Sequence, residues 1–251
     1  MIKDNVIKVK AEVEQVCKSL GRDPQEITLI GVTKTASVGA IQEAIDAGIG
    51  HAAENRVQEA EAKFPLLLAK NPKLTTHIIG HLQTNKVKDA IKVAQLIQSV
   101  DSLKLANEIE KQAAKIDKTV NILVQFNTAR EEQKFGAAPE EAIFLIDAIA
   151  KLPHVQILGL MCMAPYTEDQ GIIRKTFSDL RGIRDSIIKQ FGAHPRVQMK
   201  FLSMGMSSDY KIALEEGSNM IRVGSAIFSA TGGSASGGKW YEKDNRHYRR
   251  R

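Results

Sequence analysis

Seven times along this chain a short run rich in β-branched and other apolar residues is followed by a longer stretch whose apolar residues recur every three or four positions, and an eighth such run is followed by a short turn at 225–229. Runs of that length suit strands, and the longer stretches suit helices with one buried face. Strands joined through helices run parallel, because each crossover returns the chain to the end it left. The runs are ITLIGV (27–32), a weaker one near 50–53, HIIG (77–80), LIQSV (96–100), VNILVQF (120–126), QILGLM (156–161), MKFLS (199–203) and NMIRVG (219–224). An opening amphipathic segment, Val6 to Leu20, precedes them, and Ser37 is placed to cap the first intervening helix. Eight such units fit the (β/α)₈ TIM barrel, an α/β fold, in count and size, whereas a doubly wound sheet usually closes with fewer strands. The expectation is a single barrel domain over residues 1–229. Its outer ring is legible in 172–191, where Ile173, Phe177, Leu180, Ile183, Ile187 and Phe191 share one face and leave Arg174, Lys175 and Asp185 for water.

Composition narrows the class further. With 43% hydrophobic and 25% charged residues the chain is neither disordered nor fibrous. Its start lacks an apolar signal core, no run approaches a membrane span, and two isolated cysteines, Cys17 and Cys162, cannot make a disulfide framework or a thiolate zinc site. The expectation is a cytoplasmic protein with no membrane partner and no metal. The formal charge of +6 invites a nucleic-acid reading, yet residues 239–251 supply +4 of it. Binding nucleic acid needs a basic stripe on a folded body, so no nucleic-acid partner is expected. Residues 230–251, Gly/Ser-rich and then basic, read as a flexible tail whose composition also fits a segment not native to the gene.

In barrels of this kind the active site lies at the carboxyl ends of the strands, with a phosphate often held after strands seven and eight. Strand one ends in Val32-Thr33-Lys34-Thr35, placing a lysine at the mouth. Desolvation and a nearby helix dipole would both disfavour its ammonium form, and a neutral amine attacks aldehydes to give an imine; the competing reading is a solvated lysine at a strand end. Strand seven leads into Ser203-Met204-Gly205-Met206-Ser207-Ser208 and strand eight into Arg222-Val223-Gly224-Ser225, two small-residue loops suited to an anion. Arg222 alternates with Ile221 and Val223 and should point into the barrel, where it needs a partner. His81 lines the mouth and reads more readily as a structural histidine than as an acid or base. Gly48-Ile49-Gly50 imitates a dinucleotide fingerprint, but it follows a helix rather than a strand. Met161, Cys162 and Met163 are assigned to the wall.

A mouth lysine with a phosphate cradle suggests a phosphorylated aldehyde. The motifs Val32-Thr33-Lys34-Thr35, Glu54-Asn55-Arg56-Val57-Gln58-Glu59, Ile79-Gly80-His81-Leu82-Gln83-Thr84-Asn85-Lys86, Ser99-Val100-Asp101-Ser102, Leu202-Ser203-Met204-Gly205-Met206-Ser207 and Arg222-Val223-Gly224-Ser225-Ala226-Ile227-Phe228 occur in matching order. Together they closely resemble the YggS/PROSC family of pyridoxal-phosphate homeostasis proteins over residues 5–229. The resemblance implies the alanine racemase N-terminal type of barrel, with pyridoxal 5′-phosphate held as an imine on Lys34. It further implies phosphate contacts from Ser203, Gly224 and Ser225, Arg222 facing the pyridine nitrogen, Asn55 beside the cofactor, and further contacts from Ile79, His81, Met204 and Ser207. Two positions depart from the family pattern: Arg56 stands where an aromatic residue is frequent, and Ser225 where threonine is commoner.

The function so implied is storage and delivery of pyridoxal phosphate by a monomer without an established reaction, with pyridoxal-phosphate-dependent apoenzymes as recipients and an influence on amino-acid balance. An amino-acid racemase of this barrel type would carry a C-terminal β-domain, and only 22 residues follow Ser229. A Schiff-base aldolase acting on a phosphosugar usually places its lysine on a later strand. A nucleic-acid protein driven by the tail would show steep salt dependence that vanishes on deleting 230–251.

Overall fold

The computed structural model describes residues 1–229, so the tail assigned to 230–251 lies outside the described residues. Eight strands, β1 (Thr28–Val32), β2 (His51–Glu54), β3 (Thr75–Ile78), β4 (Leu96–Val100), β5 (Val120–Gln125), β6 (Val155–Met161), β7 (Val197–Ser203) and β8 (Met220–Val223), pair in parallel and in chain order into a closed barrel. Closure is made by β1 on β8, with Thr28 opposite Met220 and Gly31 opposite Val223. The helices are α1 (Ile2–Ser19), α2 (Val38–Asp46), α3 (Val57–Lys70), α4 (Val87–Val93), α5 (Leu103–Ala114), α6 (Ala142–Ala150), α7 (Gln170–Phe191), α8 (Tyr210–Glu215) and α9 (Ser225–Phe228). None is long and apolar enough to cross a membrane among the described residues.

The third strand differs from its expected place. HIIG was expected to pair throughout, but β3 ends at Ile78. A Cβ on Gly80 would lie 2.3 Å from the Asn55 carbonyl oxygen, so the chain after β3 crosses over the end of β2 at a contact only glycine permits.

Apolar residues fill two layers. Between strands and helices, Phe64, Phe177 and Leu180 are fully buried, and α7 buries Ile173 and Ile187 as its periodicity requires. Inside the barrel, Ile30, Ala53, Leu96, Leu123, Met161 and Met220 form a smaller cluster. Helix α1 buries Val6, Val9, Val13 and Cys17 against Ile221, Val223 and Ile227, covering the seam where β8 meets β1. Asn5 ties it there by donating to the Ile227 carbonyl at 2.9 Å.

Candidate functional site

Continuing the β1/β2 register, in which Val32 faces Ala53, sets Lys34 level with Asn55. Lys34 is exposed, which corrects the expected desolvation: protein burial does not strip its amine of water. The next residue, Thr35, adopts φ +64°. A β-branched residue there costs about 1–3 kcal/mol, a strain that gathers at functional sites.

Beneath Lys34 lies a polar cluster that the sequence reading did not select. The buried Thr33 hydroxyl donates to Glu54 Oε1 at 2.6 Å, and Lys63 of α3 donates to the same oxygen at 2.8 Å and to the Thr33 carbonyl at 3.1 Å. Glu54 has no exposed surface, and burial pushes its carboxyl above the usual range. The peptide leading into Lys34 is thereby pinned from below. Removing one partner of such a pair strands the other, so Lys63→Met should destabilise the fold by about 3 kcal/mol. Glu54→Gln should recover part of that loss in the double variant. Denaturant melts of the four proteins check this, and additive losses would mean that the two residues do not act as a pair.

The loops after β7 and β8 meet around Ser207. Its Oγ accepts the amides of Gly224 at 3.2 Å and Ala226 at 3.3 Å. Two backbone donors thus converge on one oxygen at the mouth, with the half-buried Ser225 between them. Gly224 lets this loop settle on β1, since a Cβ there would lie 3.3 Å from that of Val32. Helix dipoles add little here, since α8 has six residues and α9 four, too few to sum an appreciable field. What remains is individual amides and hydroxyls. Gly205, at φ +98°, cannot be replaced freely, because a Cβ would sit 2.6 Å from that of Ala213.

Arg222 is 3% exposed and points into the barrel as expected. Its guanidinium donates to Ser203 Oγ at 2.7 Å and to the Cys162 carbonyl at 2.9 Å. The chain continues: Ser203 donates to Gln98 Oε1 at 2.7 Å, Gln98 donates to His77 Nδ1 at 3.1 Å, and His77 Nε2 lies 3.0 Å from His51 Nδ1. Burial, with His51 beside it, lowers the His77 pKa to about 3, so the ring is neutral and can accept from Gln98. Such chains polarise cooperatively and fix orientation. Ser203 is therefore buried with its hydroxyl committed to Gln98 and Arg222. Met204 is fully buried in the outer apolar layer, while Ile79 packs on the cluster inside the barrel. Cys162 belongs to the wall, its thiol pushed up to about 12 by burial.

His81 stacks on Phe135 of the β5–α6 loop, ring centroids 3.8 Å apart, with Nδ1 3.4 Å from Asp101 Oδ2. The mouth thus gathers Lys34, Asn55, His81, Ser207, Gly224 and Ser225 at strand ends, with Arg222 and Ser203 one layer below. Gln98 could have been found by the signal that exposed Arg222, a polar residue within an apolar strand. Phe135, on an irregular loop, carries no such mark.

Residues 7–232 match the family model described as the alanine racemase N-terminal domain. A pyridoxal phosphate homeostasis protein of Aquifex aeolicus is 36% identical over 225 residues, covering 90% of this chain and 96% of that one. Among solved structures, a protein from Bifidobacterium adolescentis described as unknown superposes with TM-score 0.87 at 35% identity, covering 90% of this chain and 94% of that one. PipY of Synechococcus elongatus, solved with PLP bound, superposes with TM-score 0.74 at 34% identity, covering 86% of this chain and all of that one (100%).

Proposed function

The chain belongs to the pyridoxal phosphate homeostasis proteins, built on the alanine racemase N-terminal domain, and from that premise we propose that it holds pyridoxal 5′-phosphate on Lys34 for storage and delivery. The observation that carries this reading is the convergence of Lys34 and the Ser207-centred pair of amides at one end of one barrel, above Arg222. The donor set suits the ligand. The hydroxyls of Ser207 and Ser225 offer an anion neutral donors, Ser207 Oγ being held in place by the Gly224 and Ala226 amides, and Gly224 keeps the approach free of a side chain. Asn55, level with Lys34, flanks the reacting amine; His81, Ile79 and the backbone at Met204 are further contacts.

Bound through its aldehyde to a lysine amine, pyridoxal phosphate supplies a visible chromophore and an electron sink whose strength depends on what faces the ring nitrogen. Arg222, fixed by Ser203 and the Cys162 carbonyl, presents a cation where a carboxylate would be needed to keep that nitrogen protonated. Carbanion chemistry is thereby disfavoured, which supports a carrier over a racemase. Delivery implies pyridoxal-phosphate-dependent apoenzymes as recipients; a monomer working in the cytoplasm completes the reading. An absorbance spectrum before and after borohydride tests it: a visible band that reduction converts into a stable adduct is expected, and a colourless protein after incubation with pyridoxal phosphate would overturn it, as would an aldolase that forms only a sugar imine.

The phosphate cradle has its own test. Ser225→Ala removes one donor to a dianion, costing about 1.5–3 kcal/mol, or roughly tenfold to a hundredfold in affinity. Pyridoxal without its phosphate should hardly distinguish the two proteins. Equal weakening of both ligands would show that Ser225 supports the loop instead.

A further inference from the structure

Five polar side chains form one connected line inside the barrel, from His51, the first residue of β2, through His77 on β3 and Gln98 on β4 to Ser203 at the end of β7 and Arg222 on β8. His51 is half-buried, whereas His77, Gln98, Ser203 and Arg222 are each at most 3% exposed. The cofactor reading uses Ser203 and Arg222 and leaves the other three without a role. Polar groups set among Ile30, Ala53, Leu96 and Leu123 cost stability unless each is paired, and the pairing here runs in one sense. A guanidinium can only donate, so Ser203 Oγ accepts from Arg222. The hydroxyl has one proton, and it goes to Gln98 Oε1. With that oxygen taken, the Gln98 amide nitrogen faces His77 Nδ1, which must carry no proton. The neutral ring then holds its proton on Nε2 and donates it to His51 Nδ1. Every donor along the line points away from Arg222.

The consequence falls on Ser203. Its proton is committed to Gln98 and its oxygen to Arg222, so no donor is left for a phosphate oxygen, which would meet lone pairs there. Turning the Gln98 amide over would release that proton, but it would also set Gln98 Oε1 against the bare His77 Nδ1. That arrangement requires His77 to move its proton from Nε2 to Nδ1, so the His77 ring records which way the line runs. The hydroxyl suited to a phosphate lies four residues on, at Ser207, whose oxygen the Gly224 and Ala226 amides hold. Ser203 instead shares Arg222 with the Cys162 carbonyl, which accepts from the other terminal nitrogen of the guanidinium.

We propose that Ser203, Gln98 and His77 serve the ring end of the cofactor rather than its phosphate, as positioning residues that hold the Arg222 guanidinium toward the pyridine nitrogen. This rests on the reading of Arg222 as the partner of that nitrogen. The test titrates pyridoxal 5′-phosphate and pyridoxal into the full-length protein and two variants, followed at the visible band. Ser203→Ala should weaken both ligands by similar factors, roughly threefold to tenfold. It should also shift the pH midpoint of the visible band by about one unit, because the cation facing the ring is no longer fixed. Gln98→Met, close in size and on β4 rather than on a phosphate loop, should reproduce both effects. Circular dichroism confirms the fold of each, and Gln98→Met carries the test should Ser203→Ala fail to fold. Nitrogen-15 NMR of the unsubstituted protein, with and without pyridoxal phosphate, should find the His77 proton on Nε2 in both states. Ser203→Ala weakening pyridoxal phosphate while sparing pyridoxal would overturn the proposal, since it would mark a phosphate contact. So would a band and pH midpoint unchanged in both variants, or a His77 proton on Nδ1 in the loaded protein, where Gln98 would have turned and released the Ser203 hydroxyl. An unsubstituted protein that shows no visible band with pyridoxal phosphate overturns the cofactor reading and this assignment with it, whereas any of the other three results beside a normal band overturns the assignment alone.

Discussion

Lys34→Ala is expected to abolish the visible band and the borohydride-reducible adduct completely while leaving thermal stability nearly unchanged. The side chain is exposed and contributes no core burial, so its truncation should move stability by no more than about 0.5 kcal/mol. The backbone around it is held independently: Thr33 by Glu54 and Lys63, and α2 by the Ser37 side chain accepting the Ala40 amide at 3.2 Å. Removing the amine therefore deletes the chemistry without the scaffold. The phosphate cradle on β7 and β8 should still bind the cofactor, now without a covalent bond and without the shift in absorbance that the bond produces. Mass spectrometry after reduction decides the matter. An adduct persisting in this variant would place the cofactor on another lysine, and loss of the fold would mean that Lys34 has a structural role its exposure does not suggest.

The barrel was legible because its signal is repeated. Eight strand-helix alternations constrain one another, so the weak strand near 50–53 and the misplaced HIIG run did not disturb the count. What failed locally was a strand boundary. Ile79 and Gly80 look like strand residues by composition, and only the close approach to the Asn55 carbonyl ends β3 before them. At the site, Arg222 was legible as a charge inside an apolar strand, and its burial agrees with that reading. Gln98 carried the same signal on β4 and links Ser203 to His77. Glu54 and Lys63 were not legible as a pair, because nine residues and a strand-to-helix turn separate them; their meeting is a product of the fold. The exposure of Lys34 was misread for a related reason: sequence places a residue at a strand end but does not say how far the surrounding loops rise above it. Ser207 belongs between these cases, since its place in a small-residue loop was evident while its grip on the Gly224 and Ala226 amides depends on β7 and β8 being neighbours.

Gly159→Ala should be among the most damaging single-methyl changes in the protein. Gly159 lies in β6 opposite Phe201 of β7, at a point where the register of both flanking pairings shifts. A Cβ built there would be 1.9 Å from the Phe201 carbonyl oxygen and 2.7 Å from its carbonyl carbon. The obstacle is backbone rather than a side chain that can rotate away, so accommodation requires β6 and β7 to separate. Overpacking that moves backbone falls at the upper end of single-substitution effects, about 4 kcal/mol or more. At roughly 2–4 °C per kcal/mol for a domain of this size, the melting temperature should fall by about 10 °C or more. The consequence reaches the site, because β7 delivers Ser203 and the loop carrying Ser207. Where the variant remains folded below its lowered transition, it should therefore lose affinity for pyridoxal phosphate more than for pyridoxal, since the strand that shifts is one that carries the phosphate loop. Thermal melts with parallel titrations of the two ligands check both halves. A melting temperature within a few degrees of the parent would show that the β6–β7 contact relaxes without cost, and equal losses for both ligands would show that the displacement does not stop at the phosphate loop.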